Sequence, residues 1–283
     1  MILPTHARRL MLAAMLSVQP AWADPVPITN HSFEANFAAN GTFPVFVPTG
    51  WTVVDPGSII NFSTNAVGCL NPTDSQCFVP AQAPDGRNAA LIFLQSAGTT
   101  PVALTQVLTT VLQPSTRYRL TVEIGNIDSC AGLPPFDVFG FFELEGFPGY
   151  SVELRAGGQV IAADLNTLGP LIPDGAFMTS TFEFTTGLGH PRLGQPLEVR
   201  LTNLNQIDTP QNPGIEVDFD NVRLDATPIC LADFNTSGGL SVQDLFDFLG
   251  AYFAGDPRAD INGAGGISVQ DIFDFLGLYF AGC

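Results

Sequence analysis

The stretch RYRLTVEIG at residues 117–125 alternates apolar and polar side chains with a period of two. Tyr118, Leu120, Val122 and Ile124 would face one side of a strand, and the polar residues between them the other. Short stretches of the same kind, separated by Gly, Pro and Asn, begin at residues 51 (WTVV), 89 (AALIFL), 150 (YSVELRA), 179 (TSTFEFT), 197 (LEVRL) and 215 (IEVDFDNVRL). The sequence therefore predicts an antiparallel β-sandwich over residues 24–226.

The first 23 residues predict export. Arg8 and Arg9 precede an apolar run over residues 10–18, and the small residues Ala21 and Ala23 are typical of a cleavage site. The run is too short to cross a bilayer, which needs about 20 apolar residues. We therefore predict a signal peptide over residues 1–23, no transmembrane segment, and a protein that is secreted or held at the cell surface by a partner.

The composition is strongly acidic. The chain has 10 Lys and Arg residues against 27 Asp and Glu, and all ten are arginines. Removal of residues 1–23 takes away two arginines and no acid, so the net charge changes from −17 to 8 − 27 = −19. Such a surface repels phosphate backbones and attracts divalent cations, so we expect no nucleic-acid partner.

Five cysteines in an exported chain favour disulfides over a thiolate metal site. Cys69 and Cys77 are close in sequence, and Cys230 and Cys283 bracket the C-terminal part of the chain. We predict a disulfide within each of these pairs. Cys130 is then left over, and other pairings stay open at this point.

Residues 232–255 and 259–282 are two copies of one sequence, identical at 18 of 24 positions. Oxygen-bearing side chains and a glycine recur in each copy at the spacing of an EF-hand loop, which favours calcium. The predicted ligands are Asp233, Asn235, Ser237, Ser241 and Asp244 in the first loop and Asp260, Asn262, Ser268 and Asp271 in the second. Each loop has only two carboxylates, so we expect weak binding, at about 10⁻⁴ to 10⁻³ M.

A duplicated calcium loop followed by a helix resembles the dockerin family, and the resemblance covers residues 230–283. It implies a small α-helical module that makes a calcium-dependent contact with a cohesin-like receptor or a cell-surface scaffold. The positions that match the family's recognition pair are Val242 and Gln243, and Val269 and Gln270. Both helices have apolar residues on more than one face, which predicts that Phe246 and Phe273 lie in the contact surface unless they pack on the large domain.

The large domain resembles the galactose-binding-like jelly rolls that serve as carbohydrate-binding modules. The matching stretches begin at residues 28 (ITNHSFEAN), 48 (PTGWTVVD) and 217 (VDFDNVRL). The resemblance implies a structural calcium ion between Glu34 and Asp220, in addition to the two weak sites of the tail.

A narrower resemblance is to the Stig cyclases, jelly-roll proteins that rearrange and cyclise prenylated indole isonitriles with a carboxylic acid as proton donor. It is carried by PTGWTVVDP, NAALIFL, FPGYSVELRAGGQVIAADLNTL and IEVDFDNVRLDA. The resemblance implies Asp218 as the acid, and such an acid needs an apolar site, where burial raises its pKa. The phenylalanines Phe139, Phe141, Phe142 and Phe147 could line a cation-stabilising wall or form hydrophobic core.

Two functions from different classes follow. The main prediction is a calcium-braced jelly roll, over residues 24–226, that binds a glycan or another extracellular ligand and is docked through the module at residues 227–283. The alternative is an enzyme that cyclises or isomerises a hydrophobic small molecule with Asp218 as its acid.

Overall fold

The computed structural model describes residues 24–95, 98, 100–132, 134–209 and 214–282. The predicted signal peptide and Cys283 lie outside these ranges. The strands are β1 (Asp24–Val26), β2 (Thr52–Val54), β3 (Asn65–Leu70), β4 (Ala89–Leu94), β5 (Val102–Val111), β6 (Thr116–Asn126), β7 (Cys130–Ala131), β8 (Phe141–Phe142), β9 (Tyr150–Ala156), β10 (Gln159–Leu165), β11 (Ala176–Thr185), β12 (Pro196–Asn203) and β13 (Glu216–Pro228). Two helices follow, α1 (Val242–Ala254) and α2 (Val269–Ala281).

The strands form two antiparallel sheets packed face to face. The first sheet has the order β11-β6-β13-β4-β3, with β1 paired to the far end of β13. The second sheet has the order β10-β9-β12-β5-β2, and β7 pairs with β8 in a separate ribbon. The prediction of an all-β sandwich is confirmed.

The inner faces of the two sheets share the main hydrophobic core. The four alternating residues of β6, Tyr118, Leu120, Val122 and Ile124, are all buried in it, as their spacing predicts. The second sheet contributes apolar side chains from β5, β9 and β12 to the same core. Burial of this kind stabilises a fold by about 25 cal/mol for each Å² of apolar surface removed from water.

The outer face of the first sheet is also buried along β3, β4 and the first part of β13. Val217 and Phe219 of β13 belong to the core between the sheets, so the residues that alternate with them, Glu216, Asp218 and Asp220, lie on the outer face. The loops over residues 71–88 and 127–149 contribute apolar side chains to a second, smaller cluster on that face. These loops therefore enclose a space that the alternation pattern alone leaves open to water.

The disulfide of the sandwich joins Cys77 to Cys130, which are 53 positions apart in sequence and have Cα atoms 5.2 Å apart. The predicted bond between Cys69 and Cys77 is wrong because the two side chains lie on opposite faces of the first sheet. Cys69 is a buried free thiol in the core between the sheets, whereas Cys77 belongs to the outer cluster. Cys230 is disulfide-bonded, and its predicted partner Cys283 lies outside the described residues.

The two C-terminal helices share a core of their own. Phe248 of α1 and Phe275 of α2 stack with ring centroids 4.1 Å apart and planes inclined by 1°. Phe234, from the loop before α1, meets both rings edge-on. Neither helix, nor any other in the part of the chain described, is long and apolar enough to span a membrane.

The residues predicted for receptor contact lie at the surface of this unit. Phe246 and Phe273 are 62% and 63% exposed, and Val242 and Val269 are exposed to a similar extent. The side-chain amides of Gln243 and Gln270 each donate a hydrogen bond to the aspartate one turn further along the helix.

The Phe248→Ala variant should destabilise the tail by about 3 to 5 kcal/mol, because it removes a fully buried ring that packs on three others. Hydrogen exchange of the α1 and α2 amides, measured by mass spectrometry on the full chain, reports that loss. Phe246→Ala is the matched control, since the same truncation on the exposed side of α1 should change stability by less than about 0.5 kcal/mol. Equal protection in the two variants would contradict the stacked core.

Candidate active site

A cavity of about 340 Å³ lies between the outer face of the first sheet and the loops that cover it. Its wall is mostly aromatic and aliphatic, with a small polar part. It is lined by Phe43, Phe93, Phe136, Phe139, Phe142, Leu70, Ile127, Leu144, Gly132, Cys77, Cys130, Ser63, Thr64, Gln95 and Glu216. Phe139 is 71% exposed, so the cavity reaches the surface beside it. A mostly apolar cavity with a few convergent polar groups is the usual form of a small-molecule site.

The disulfide forms part of the cavity wall, since both Cys77 and Cys130 border it. Cys77 belongs to the loop that follows β3, and Cys130 lies in β7, which follows β6. The bond therefore joins the two covering loops directly to each other.

The four phenylalanines predicted from FDVFGFFELEGF have different places. Phe139 and Phe142 line the cavity. Phe141 is 63% exposed, and Phe147 packs against the core between the sheets. The wall is completed by Phe43, Phe93 and Phe136. Phe43 and Phe93 are far from this stretch in the sequence, and Phe136 is its first residue. None of the three was predicted to line the site.

Two carboxyl groups, those of Glu216 and Asp218, lie side by side on the outer face of β13. Glu216 is 2% exposed and Asp218 is fully buried. The two carboxyls influence each other electrostatically. In the described chain, neither Asp218 oxygen nor Oε1 of Glu216 has a hydrogen-bond partner. They form a buried acid pair.

This environment raises the pKa of both acids. Burial raises the pKa of Glu216 from its ordinary value to about 8, although the neighbouring Asp218 carboxyl opposes the rise. Burial and then the neighbouring charge of Glu216 raise the pKa of Asp218 well above its usual range. A low-dielectric site disfavours two adjacent carboxylates, so the pair retains a proton at neutral pH.

The predicted acid Asp218 thus lies in the apolar surroundings that protonation chemistry needs, but Glu216 was missed. The signal was available in the sequence. Glu216, Asp218 and Asp220 alternate with Val217 and Phe219, and a period of two places all three acids on one face of the strand. The alternation could not show that loops cover this face and exclude water from it.

The predicted calcium ligands Glu34 and Asp220 lie close together at the other end of the same face. The backbone N–H groups of residues 87 and 88 donate to Oε1 of Glu34 at 2.7 and 2.6 Å, and Asp85 N–H donates to Asp220 at 2.7 Å. Burial, followed by the charges of Asp85 and Glu34, raises the pKa of Asp220 to about 8. Of the two acids beside Asp220, Asp85 is paired with Arg223 at 2.7 Å.

In both tail loops, backbone N–H groups donate hydrogen bonds to side chains that are predicted to ligate calcium. In the first loop, Asp233 and Asn235 both accept hydrogen bonds from Ser237 N–H, at 2.9 and 3.0 Å, so their oxygens converge. Gly238, at position six, has a φ of 93°, in the left-handed region that favours glycine. Ser241 and Asp244 also form a capping box that starts α1.

The second loop repeats this arrangement, except that Ala264 stands at the position of Ser237. Asp260 accepts hydrogen bonds from the N–H groups of residues 264–266, and Asn262 Oδ1 accepts from Ala264 N–H. Ser268 and Asp271 form the capping box of α2. Within the described ranges, no group of three or more His, Cys, Asp and Glu side chains could hold a metal ion, and the tail loops draw partly on amide and hydroxyl oxygens.

Comparison with known proteins identifies relatives of the sandwich. The family model described as HpiC1-like, HpiC1 cyclase, matches residues 24–225. The structure of a Stig cyclase, Fisc from Fischerella sp. TAU, in complex with (3Z)-3-(1-methyl-2-pyrrolidinylidene)-3H-indole is 35% identical, has a TM-score of 0.63, and matches over 74% of this chain and 100% of that one. A cyclase from the same source in complex with 4-(1H-indol-3-yl)butan-2-one is 36% identical over 73% of this chain and 99% of that one, with a TM-score of 0.63. A search of curated sequences gives no match.

These matches correct the main functional prediction. A glycan-binding module docked to a cohesin-like receptor is wrong as the function of this chain, because the matched family and the matched structures at 35% to 36% identity are cyclases. Exposed aromatics on α1 and α2 suggested docking, but no comparison supports a dockerin or a cohesin partner. The alternative prediction, a cyclase, is the one that the comparisons favour.

Proposed function

Because this chain belongs to the HpiC1-like cyclase family, through residues 24–225, we propose that it is an enzyme that rearranges or cyclises a hydrophobic small molecule by protonating it. The observation that supports this most directly is the acid pair of Glu216 and Asp218, buried where a phenylalanine-lined cavity meets the sheet. The reaction requires no cofactor, because the enzyme donates a proton at the start and takes one back at the end.

The cavity also supports a substrate class. Its aromatic wall fits a flat, apolar group, and aromatic faces stabilise the cation that protonation creates. Ser63, Thr64, Gln95 and Glu216 form the polar part, so one hydrogen-bonding group on the substrate would be satisfied there. Two matched cyclase structures hold indole-containing molecules. We infer that the substrate joins an indole-like ring to an alkene.

The mechanism uses groups that this chain provides. A carboxyl that stays protonated at neutral pH can give its proton to an alkene or indole carbon, and the aromatic wall excludes water that would capture the resulting cation. The covering loops, tied by the Cys77–Cys130 bond, hold that wall against the sheet.

The test is conversion by the full chain of a panel of indoles that carry alkenyl groups, followed by liquid chromatography and mass spectrometry. The expected result is a product with unchanged mass and a new retention time. A variant in which Glu216→Gln and Asp218→Asn are combined should give none above the uncatalysed background. If the wild-type protein converts no member of the panel, the proposed function is overturned.

We also propose that calcium is bound weakly by each tail loop and structurally between Glu34 and Asp220. The converging oxygens of Asp233 and Asn235, and the closeness of Glu34 to the buried Asp220, support this. The division into a signal peptide at 1–23, the sandwich at 24–226 and the tail at 227–283, and export of the chain, are proposals of the same standing; the disulfides favour an oxidising compartment.

Calcium at about a hundred times its dissociation constant should stabilise the tail by about 2.7 kcal/mol. Hydrogen exchange of the α1 and α2 amides, with calcium at about 10 to 100 mM and with a chelator, measures this difference. Asp233→Ala should abolish the effect on α1, while Asp256→Ala, outside the predicted ligand set and paired with Arg258, should retain it. Identical exchange with calcium and with chelator would show that the loops are closed by their hydrogen bonds alone.

A further inference from the structure

Glu216 and Asp218 are neighbours on one face of β13, yet they have different surroundings. Glu216 is paired across the sheet with Phe93 of β4, and both residues line the cavity. Asp218 is paired with Leu91 of β4 and Gly125 of β6, and none of these three lines it. The boundary of the cavity therefore runs between the two acids.

Close packing explains why Asp218 lies outside the cavity. Gly125 is flanked so tightly that an added Cβ would lie 2.8 Å from Cβ of Asp218 and 2.6 Å from the ring of Phe177. Phe177 stacks in turn on Phe78, with ring centroids 4.6 Å apart. Asp218 is thus enclosed beside an aromatic pair, with Glu216 next to it on the same face of β13.

We propose that Glu216 is the residue that transfers the proton to the substrate, and that Asp218 is a positioning residue that acts through Glu216. This assignment rests on the proposed function and refines it. It differs from the expectation drawn from sequence, in which Asp218 itself is the acid. The carboxyl that borders the cavity can touch a reacting carbon, whereas the enclosed one cannot do so without displacing Phe177 or Glu216.

The transfer balances without any further reagent. The O–H bond of Glu216 breaks as the π electrons of the substrate form a new C–H bond, which leaves a carbocation in the cavity and a carboxylate on Glu216. The Asp218 carboxyl, next to Glu216 on the same face of β13, holds the new carboxylate at the cavity wall, so that its negative charge lies opposite the positive charge of the substrate. After rearrangement, the cation loses a proton to Glu216 and the pair is restored.

The assignment can be tested without the natural substrate. A small aryl diazoacetamide esterifies protonated carboxylic acids with loss of N₂, and tandem mass spectrometry distinguishes an ester on Glu216 from one on Asp218. The full wild-type chain would be treated at neutral pH, with and without 4-(1H-indol-3-yl)butan-2-one as the cavity probe. The Glu216→Gln and Asp218→Asn variants would be treated in parallel.

The expected result is an ester on Glu216 that exceeds any ester on Asp218 by about tenfold and that the probe suppresses. Asp218→Asn should keep the label on Glu216, and in Glu216→Gln the label should not move to Asp218. A dominant ester on Asp218, in the wild type or in Glu216→Gln, would overturn the assignment, and so would the absence of ester on both acids. Either failure is distinct from failure of the proposed function, which is judged by conversion of the indole panel.

Discussion

The Glu216→Gln variant should lose about a hundredfold to ten-thousandfold in kcat on any substrate that the wild-type protein isomerises, because an amide keeps the shape of the acid but has no transferable proton. The cavity wall and the sheet register are unchanged by this substitution, so KM should change much less than kcat. Single-turnover measurements of product formation separate the two effects.

The companion variants make this prediction specific. Asp218→Asn should lose less than Glu216→Gln, and the combined variant should be no slower than Glu216→Gln alone, because residues that act as a unit have non-additive effects. Glu143→Gln is the matched control: the same chemical change on an exposed carboxyl beside Phe142 should alter kcat by less than about twofold. A full rate in Glu216→Gln would remove Glu216 from the reaction.

The second large effect concerns stability and pH. A carboxyl whose pKa is higher in the folded protein than in the unfolded chain binds more protons when folded, so stability falls as pH rises through the interval between the two pKa values. For Glu216 that interval runs from the model-peptide value of 4.5 to about 8. The contribution of Glu216 to the free energy of unfolding is therefore fully present below about pH 4.5 and is completely lost above about pH 8.

A shift of this size corresponds to a loss of about 3 to 5 kcal/mol in the free energy of unfolding between pH 5 and pH 9. The variant combining Glu216→Gln with Asp218→Asn should lack that loss, and should be more stable than the wild type at pH 9. Urea unfolding followed by the fluorescence of the buried Trp51 measures the difference. Asp220 titrates in both proteins, so the comparison cancels its contribution.

Glu183→Gln is the control for this experiment, because the same change on the exposed part of β11 removes a carboxyl that folding leaves in water. Its stability should follow the wild-type pH dependence. A combined variant that also follows the wild-type curve would mean that Glu216 and Asp218 are hydrated in solution.

The sequence predicted the fold better than it predicted the site. Alternation in β6 identified Tyr118 and Ile124 as core, since a strand in a sandwich has one face against the other sheet. Alternation in β13 likewise places Glu216 on one face with Asp218, although this grouping was not predicted, and it carries no information on what covers that face. That cover comes from loops that are far away in sequence and are joined by a disulfide whose partners the sequence also left open.

The tail misled the functional prediction for a related reason. The spacing of Ser241 and Asp244 identified the start of α1, because a capping box is a local feature. The apolar residues of the helices could not reveal which of them face each other. Phe248 and Phe275 form the core, whereas Phe246 and Phe273 remain exposed, and exposure by itself does not identify a partner.

The stacked pair of Phe248 and Phe275 bears on the ancestry of the tail. Each repeat contributes one ring to the stack, and Phe234 of the first repeat has Ile261 in its place in the second, so one copy alone holds half a core. A single ancestral repeat would have buried its phenylalanine only by pairing with a second chain of the same sequence. The duplication can then be understood as the fusion of such a homodimer into one polypeptide, after which the two halves were free to diverge.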